Sequence, residues 1–133
     1  MNSPSLSPIG QGISFPLKMS LQGQIQVSQQ SQNLEESIRI ILQTNLGERV
    51  YRPDFGSRLS ELVFAPMNTQ TLLLIRVYVQ EALEKWEPRI AIDAILTEPD
   101  PVKGAVEIVI RYHAKEHPEP RSLVYPFYLS PQG

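Results

Sequence analysis

This 133-residue chain contains two histidines, which are candidate metal ligands. His113 and His117 are four residues apart, a spacing that brings side chains together on a helix but not on a strand. The flanking sequence is typical of a strand end followed by a Pro-rich loop. We therefore expect surface or turn roles for both residues rather than a metal site.

Three carboxylates near predicted loops are candidates for acid and base catalysis. A glycosidase needs two acids about 5 to 9.5 Å apart, and Glu48, Asp54 and Glu87 supply the residue types. Each has an alternative interpretation. Glu48 and Asp54 lie close in sequence to Arg49 and Arg52 and could be ordinary charged loop residues. Glu87 lies at a predicted helix end. We predict no catalytic residues here.

Composition excludes several other function classes. The net charge is −2 with a pI near 5.7, which disfavours sequence-independent binding to nucleic acid or anionic lipid. The absence of Cys removes disulfides and sulfur zinc sites, and no phosphate-binding or dinucleotide motif occurs. No apolar run is long enough to insert into a membrane. We expect no cofactor and synthesis in a reducing compartment.

The chain is predicted to form an N-terminal arm, residues 1–20, followed by one domain, residues 21–133. Pro and Gly interrupt the arm, while apolar Phe15 and Leu17 suggest that it lies on the domain or on a neighbour. Alternation in Gln24–Ser28 predicts a strand, and a Gln-rich turn follows. Asn33 and Glu36 then resemble a capping box that starts a helix ending near Gly47.

The remaining sequence predicts two more helices and three strands. A short helix is expected near 57–64 and a longer one over Thr69–Trp86, which the Glu87-Pro88 pair ends. Alternating residues after it predict three antiparallel strands, joined by a turn at 99–104 and a Pro-rich loop through Pro118 and Pro120. The fold class is α+β: a single domain with helices on one face of a mostly antiparallel sheet.

Three segments have the character of recognition sites. The first is a rigid, alternately charged loop; it contains Glu48, Arg49, Arg52, Asp54 and Phe55. Its charges either satisfy one another and the turn or bind a partner. In the second, Glu87-Pro88-Arg89, the proline holds both charges stiffly, and we expect both charged groups to be exposed. That tripeptide is either a plain helix stop or a docking point. Arg89 can offer a bidentate fork to a carboxylate or cap the exposed carbonyls of the helix end.

The third segment is apolar and aromatic and lies near the C-terminus; it includes Tyr125, Phe127 and Tyr128. Pro126 predicts that this strand lies at an edge. The strand either closes the core or is covered by another chain that adds a strand to it.

These segments together resemble a known family. The matching residues are Gly10-Gln11-Gly12, Phe15-Pro16, Ser37-Ile38-Arg39, Leu42, Thr44, Gly47-Glu48-Arg49, Arg52-Pro53-Asp54-Phe55-Gly56, Leu59, Val63-Phe64, Ala82-Leu83, Glu87-Pro88-Arg89-Ile90 and Tyr125-Pro126-Phe127-Tyr128-Leu129. Over residues 10–131 the chain is similar to the lysozyme-like baseplate wedge proteins of contractile tails. That family includes phage baseplate wedge proteins, TssE of type VI secretion and proteins of extracellular contractile injection systems.

The resemblance implies a structural role and a set of partners. It implies a sixfold-symmetric baseplate in which the chain contacts sheath protein, other wedge subunits and hub or spike proteins. It also implies a fold similar to the strand-exchanging handshake domain of the sheath, which would template sheath assembly. Glu87-Pro88-Arg89 would dock on other wedge subunits. Such a baseplate would be assembled in the cytoplasm and would belong to a particle that is either released or docked at a membrane.

Two other functions compete with this interpretation. The family label carries an association with peptidoglycan-cleaving lysozymes, although no acid in an apolar pocket can be identified from the sequence. A small regulator that binds one adaptor could also use this fold.

Overall fold

The computed structural model describes residues 21–130, with side chains from residue 32 onward. The predicted arm, residues 1–20, lies outside the described residues. The chain divides into two compact units, residues 1–36 and residues 37–133. The features below belong to the second unit unless stated otherwise.

Helix α1 spans Leu21–Gln43, so the strand predicted over Gln24–Ser28 and the turn after it are wrong. Asn33 lies inside this helix and does not cap it. No proline occurs between residues 21 and 43, and Leu, Gln and Glu, which favour helices, are frequent there. A five-residue alternation is too short to outweigh that preference.

The loop after α1 is bonded back onto the end of that helix. The Ser57 hydroxyl donates to the carbonyl of Leu42 over 2.9 Å, and the Ser57 N–H donates to the carbonyl of Thr44 over 2.9 Å. These bonds satisfy carbonyls that a helix end leaves without partners. Gly47 has the positive φ expected of it, 85°, but it lies beyond the helix and is not its C-cap. Its N–H donates to Pro53 instead.

A short 3-10 helix and a long α-helix follow. The 3-10 helix covers Leu59–Leu62, within the predicted segment. Helix α2 spans Thr69–Trp86, as predicted. The Asn68 side chain caps α2 by accepting the N–H of Thr71 at 2.9 Å, and Pro88 stops its continuation.

Three strands form an antiparallel sheet in the order β1-β2-β3. Their bounds are Ile90–Asp100 for β1, Ala105–Ala114 for β2 and His117–Tyr128 for β3. The predicted meander is confirmed, but β3 already begins at His117, so Pro118 and Pro120 are strand residues. In β1 the register shifts between Ile92 and Ala94. That bulge at Asp93 breaks the simple alternation predicted for β1.

Strand β3 lies at an edge of the described sheet, as Pro126 predicted. The carbonyl of Val124 accepts a hydrogen bond from Arg39 of α1 at 3.4 Å, which shows that this group is directed away from β2. Because strand backbones repeat every two residues, Pro126 also turns its backbone nitrogen away from β2. The proline therefore costs the sheet no ladder bond.

The core lies between the helices and one face of the sheet. Its larger residues in the second unit are Ile38, Ile41 and Leu42 of α1, Leu59 and Leu62, Ile75, Val79 and Leu83 of α2, Ile90 of β1, Val106, Ile108, Ile110 and Tyr112 of β2, and Leu123 and Phe127 of β3. Burial of each large aliphatic side chain contributes about 1.5–3 kcal/mol. Arg76 of α2 also donates to the Thr97 hydroxyl of β1 at 2.8 Å. Within the described residues, no helix has the length and apolarity needed to cross a bilayer.

We predict that Gly56→Ala lowers the free energy of unfolding by about 2–3 kcal/mol. Gly56 has a φ of 120°, and a Cβ there would collide with the Thr44 carbonyl. Gly47→Ala is the matched control, because Gly47 also has positive φ but no atom within 4 Å of its Cβ position. The control should lose only about 1 kcal/mol. Urea unfolding followed by circular dichroism measures both, and equal losses would contradict the prediction.

Candidate functional site

The structure brings the first two predicted recognition segments together. Phe55 of the loop meets Trp86, the last residue of α2, edge to face, with ring centroids 5.0 Å apart and an interplanar angle of 61°. Such pairs add about 0.5–1.5 kcal/mol beyond the area they bury. The charged loop is therefore fixed against the end of α2, immediately before Glu87-Pro88-Arg89.

Three cations surround these two rings. The guanidinium carbon of Arg49 lies 4.7 Å from the centroid of Phe55, and that of Arg52 lies 4.8 Å from the centroid of Trp86. The Lys85 ammonium is 5.3 Å from the same Trp86 ring. Each contact has the geometry of a cation–π interaction. We call residues 49, 52, 55, 85 and 86 the cation–aromatic cluster.

The two loop carboxylates do not pair with the loop arginines. Glu48 turns back and accepts the N–H of Asn45 at 2.8 Å. Asp54 pairs with the Lys85 ammonium at 3.5 Å. The sequence left open whether the loop charges satisfy one another. The carboxylates do serve the turn and the helix, whereas the arginines lie on aromatic faces.

Glu87 is the buried member of the Glu87-Pro88-Arg89 tripeptide, and the expectation that both charges are exposed is wrong for it. Its side chain is 2% exposed, while that of Arg89 is 60% exposed. Arg89 Nε donates to Oε1 at 2.8 Å, and Nη2 donates to Oε2 at 2.9 Å. The bidentate fork predicted for Arg89 is thus formed, and its acceptor is the carboxylate two residues earlier.

The backbone of this tripeptide is held from three sides. The N–H of Glu87 donates to Leu83 at 2.9 Å and so closes the last turn of α2. The N–H of Ile90 donates to the Glu87 carbonyl at 3.4 Å, and the N–H of Lys115 in the β2–β3 turn donates to the Arg89 carbonyl at 2.9 Å. The tripeptide therefore stops the helix and also fixes where the guanidinium lies.

The surroundings of Glu87 keep its carboxyl ionised. Burial by itself would raise the pKa of Glu87, but hydrogen bonds from Arg89 and Ser37 and the Arg89 charge outweigh that effect and lower it. The same carboxylate raises the pKa of Arg89. A carboxyl with a lowered pKa cannot serve as the proton donor that a glycosidase requires at neutral pH.

A second copy of the tripeptide shows that context creates this arrangement. Glu119-Pro120-Arg121 lies in β3. There Arg121 Nη2 makes one contact with Glu119 Oε1 at 3.3 Å, and the Glu119 side chain is 70% exposed. The same three residues thus form a loose surface pair in one place and a buried clamp in the other.

The third segment divides its residues between the two faces of the sheet. Phe127 is buried opposite Val106, and Tyr125 is half-buried opposite Ile108. Burial raises the pKa of Tyr125, and the charge of Arg39 partly offsets that effect. Tyr128 is 62% exposed. The strand therefore closes the core with one face and presents apolar surface on the other.

The other candidate groups stay apart from this site. His113 Nδ1 lies 3.1 Å from both carboxylate oxygens of Asp93 across β1 and β2, and His117 is exposed at the start of β3. Within residues 21–130, no three His, Asp or Glu side chains converge as a metal site.

Ser37 and Lys85 are contributors to the site that our sequence reasoning missed. Neither role has a local sequence signal, because Ser37 acts on Glu87 and Lys85 pairs with Asp54, and both of those residues are distant in the chain.

Comparison with known proteins identifies the family. The model of the baseplate wedge protein gp25 family matches residues 28–119, more than half of the chain. Baseplate protein W of Escherichia phage P2 is 30% identical over 95 residues, which cover 71% of this chain and 82% of that protein. The chain belongs to the baseplate wedge protein gp25 family, and the family resemblance drawn from its sequence is confirmed.

Two solved structures confirm the α+β fold. A crystal structure from Geobacter sulfurreducens, described there as a candidate tail lysozyme, is 45% identical with a TM-score of 0.72. The match covers 76% of this chain and 92% of that one. A chain of the anti-feeding prophage baseplate, determined by cryo-electron microscopy with sixfold symmetry applied, is 19% identical with a TM-score of 0.50. That match covers 74% of this chain and 68% of the other, and it shows the fold alone.

We predict that Glu87→Gln loses about 1–3 kcal/mol of unfolding free energy at neutral pH, because it removes a buried charged acceptor. The folded-state pKa of Glu87 is lowered from 4.5, so its ionisation stabilises the fold fully above about pH 4.5. That contribution disappears as the pH falls through the lowered pKa. The difference between wild type and variant should therefore shrink on acidification. Urea titrations between pH 3 and 7 measure it, with exposed Glu119→Gln as the matched control; a pH-independent difference would contradict the prediction.

Proposed function

We propose that this protein is a structural wedge subunit in the baseplate of a contractile tail or injection particle. Membership of the gp25 family supports the proposal. The observation that carries it is the clamped, outward-facing Arg89 beside the cation–aromatic cluster, since a rigid cationic corner binds a partner with little loss of entropy. The partners we propose are other wedge subunits, hub or spike proteins and the first ring of sheath, in a sixfold assembly formed in the cytoplasm.

The proposed role is not enzymatic. One relative is described as a candidate tail lysozyme, so peptidoglycan cleavage is the second candidate function. Glu87 is the buried acid among the three proposed from the sequence, and its lowered pKa is opposite to what a general acid needs. Sustained cleavage of purified cell wall by the chain, abolished in Glu87→Gln, would overturn the structural role.

Within the tripeptide, Arg89 is the group that we propose contacts another wedge subunit. Glu87 is too deeply buried to reach a partner and acts instead by positioning the guanidinium. The fork uses Nε and one N–H of Nη2, which leaves the other guanidinium donors for a carboxylate or carbonyl on the partner. Pro88 keeps the two charged residues in this geometry.

We predict that Arg89→Ala reduces incorporation of the chain into particles by at least about tenfold, a loss typical of one central interface arginine. Arg121→Ala is the matched control, because it removes an arginine from the same tripeptide on β3. Incorporation is measured by quantifying the chain in purified particles against the tube protein. Circular dichroism checks that Arg89→Ala, which leaves Glu87 without its partner, remains folded. Normal incorporation of a folded Arg89→Ala chain would refute the docking role.

For the sheath, the proposed contact is the open edge of β3. Val124 directs its backbone away from β2, and its side chain is 45% exposed. Tyr128 lies further along the same edge with its ring exposed. A strand added here would pair with these backbone groups and cover apolar surface. The Arg39 guanidinium occupies the Val124 carbonyl, so the added strand must displace it.

We predict that Val124→Pro abolishes sheath attachment without unfolding the domain. The substitution removes an N–H that faces outward and takes no part in the β2–β3 ladder. Val124→Ala is the control, since it trims the side chain but keeps the N–H. Electron microscopy of particles scores attachment, and circular dichroism scores folding. Sheathed particles that contain Val124→Pro at the wild-type level would rule out strand addition at β3.

A further inference from the structure

The most exposed apolar residues of the described loop after α1 are Val50 and Tyr51. Their relative exposures are 86% and 94%. They are the two central residues of a turn that the N–H of Arg52 closes by donating to the carbonyl of Arg49 at 3.3 Å. We call residues 49–52 the loop apex. It presents two neighbouring apolar side chains between two arginines.

The loop apex is held rigidly although it is exposed. At its base, the N–H of Gly47 donates to the Pro53 carbonyl at 2.7 Å, and the N–H of Phe55 donates to the Arg52 carbonyl at 3.0 Å. The arginines on either side of the apex lie on the Phe55 and Trp86 rings. Tyr51 is therefore presented by an ordered turn, and little ordering entropy remains to be lost when a partner binds.

The positive charges of the loop apex are not neutralised by the carboxylates of the same loop, because those carboxylates bind elsewhere. Glu48 accepts a backbone N–H, and Asp54 pairs with Lys85. In the part of the chain that the structure describes, neither Arg49 nor Arg52 has a carboxylate partner. Stacking on a ring leaves the edge of a guanidinium open, and that edge is the part that binds a carboxylate through two hydrogen bonds.

We propose that the loop apex docks into an apolar pocket on another subunit, with Asp or Glu carboxylates of that subunit flanking the pocket. The inference rests on the proposed function, because it takes the partner from the same particle. Val50 and Tyr51 require a pocket, and Arg49 and Arg52 require acidic groups on both sides of it. A polyanion such as nucleic acid is less complementary, since it offers charge without a pocket for two side chains and the chain itself carries −2.

The apolar half of the proposal is tested with the double variant Val50→Ala and Tyr51→Ala in the full chain. We expect incorporation into particles to fall by at least about tenfold, because central interface aromatics carry a large share of binding energy. The urea midpoint should stay at the wild-type value, because both side chains are almost fully exposed. Val102→Ala is the matched control, since Val102 is 96% exposed on the β1–β2 turn; it should change neither quantity.

The charged half is tested with Arg49→Glu and Arg52→Glu combined. Arg58→Glu is the matched control. Arg58 also lies on an aromatic ring, 4.3 Å from the Tyr78 centroid, but it is already paired with Glu61 at 3.2 Å. We expect the double reversal alone to exclude the chain from particles. Replacing Tyr51 by a photo-crosslinking phenylalanine analogue should give one dominant product, joined to a particle subunit within a few residues of Asp or Glu.

The outcomes separate this inference from the function on which it rests. If the wild-type chain is absent from particles, the proposed function fails and the inference with it. If the wild-type chain is present, Arg89→Ala is excluded and both loop-apex variants incorporate normally, only the inference is overturned. A crosslink to a segment rich in Lys and Arg, or binding of the loop apex to duplex DNA in place of a subunit, would also overturn it.

Discussion

The burial of one ionised carboxylate, that of Glu87, determines how the rest of this surface is arranged. A buried charge is tolerated only when partners replace the water it has lost. Here the partners are Arg89, two residues later, and Ser37, fifty residues earlier on α1. Through this carboxylate, the C-terminal end of α2 is bonded to the start of β1, and Ser37 of α1 adds to its stabilisation. The cation–aromatic cluster lies one residue before Glu87, at Trp86, so the clamp and the cluster form a continuous rigid corner.

Most secondary structure after residue 57 could be predicted from the sequence because the local signals agree there. In α2, the Glu87-Pro88 stop indicates the observed end at Trp86, and the cap that the structure shows at Asn68 lies at the predicted start. The strands follow from alternation, and the edge position of β3 follows from Pro126. The errors arose where a signal was short or ambiguous. Two alternating apolar residues within Gln24–Ser28 fit a strand as well as a helix, and the bulge at Asp93 shifts register with no Gly or Pro to mark it.

The candidate site was only partly predictable, because its chemistry depends on contacts between distant residues. The residue types predict the stiffness and the charge of Glu87-Pro88-Arg89. They do not predict the burial of Glu87, because the glutamate of the same tripeptide at Glu119-Pro120-Arg121 is exposed. The sequence indicates Phe55 as a recognition candidate, and only the fold identifies Trp86 as its aromatic contact. The pairing of Asp54 with Lys85 joins residues more than thirty positions apart. The partner-binding roles of these residues remain predictions.

The Ser57 bonds have a consequence for how the molecule opens. Its hydroxyl and its amide both hold carbonyls at the end of α1, so the segment from Asn45 to Gly56 is tethered at both ends to the same helical turn. Fraying of that turn and release of the loop are then one event, with one free-energy cost. Amide protons in the two places should accordingly show the same opening free energy in hydrogen exchange. A partner that binds the loop apex would therefore slow amide hydrogen exchange at the C-terminal end of α1, although the partner does not contact that end.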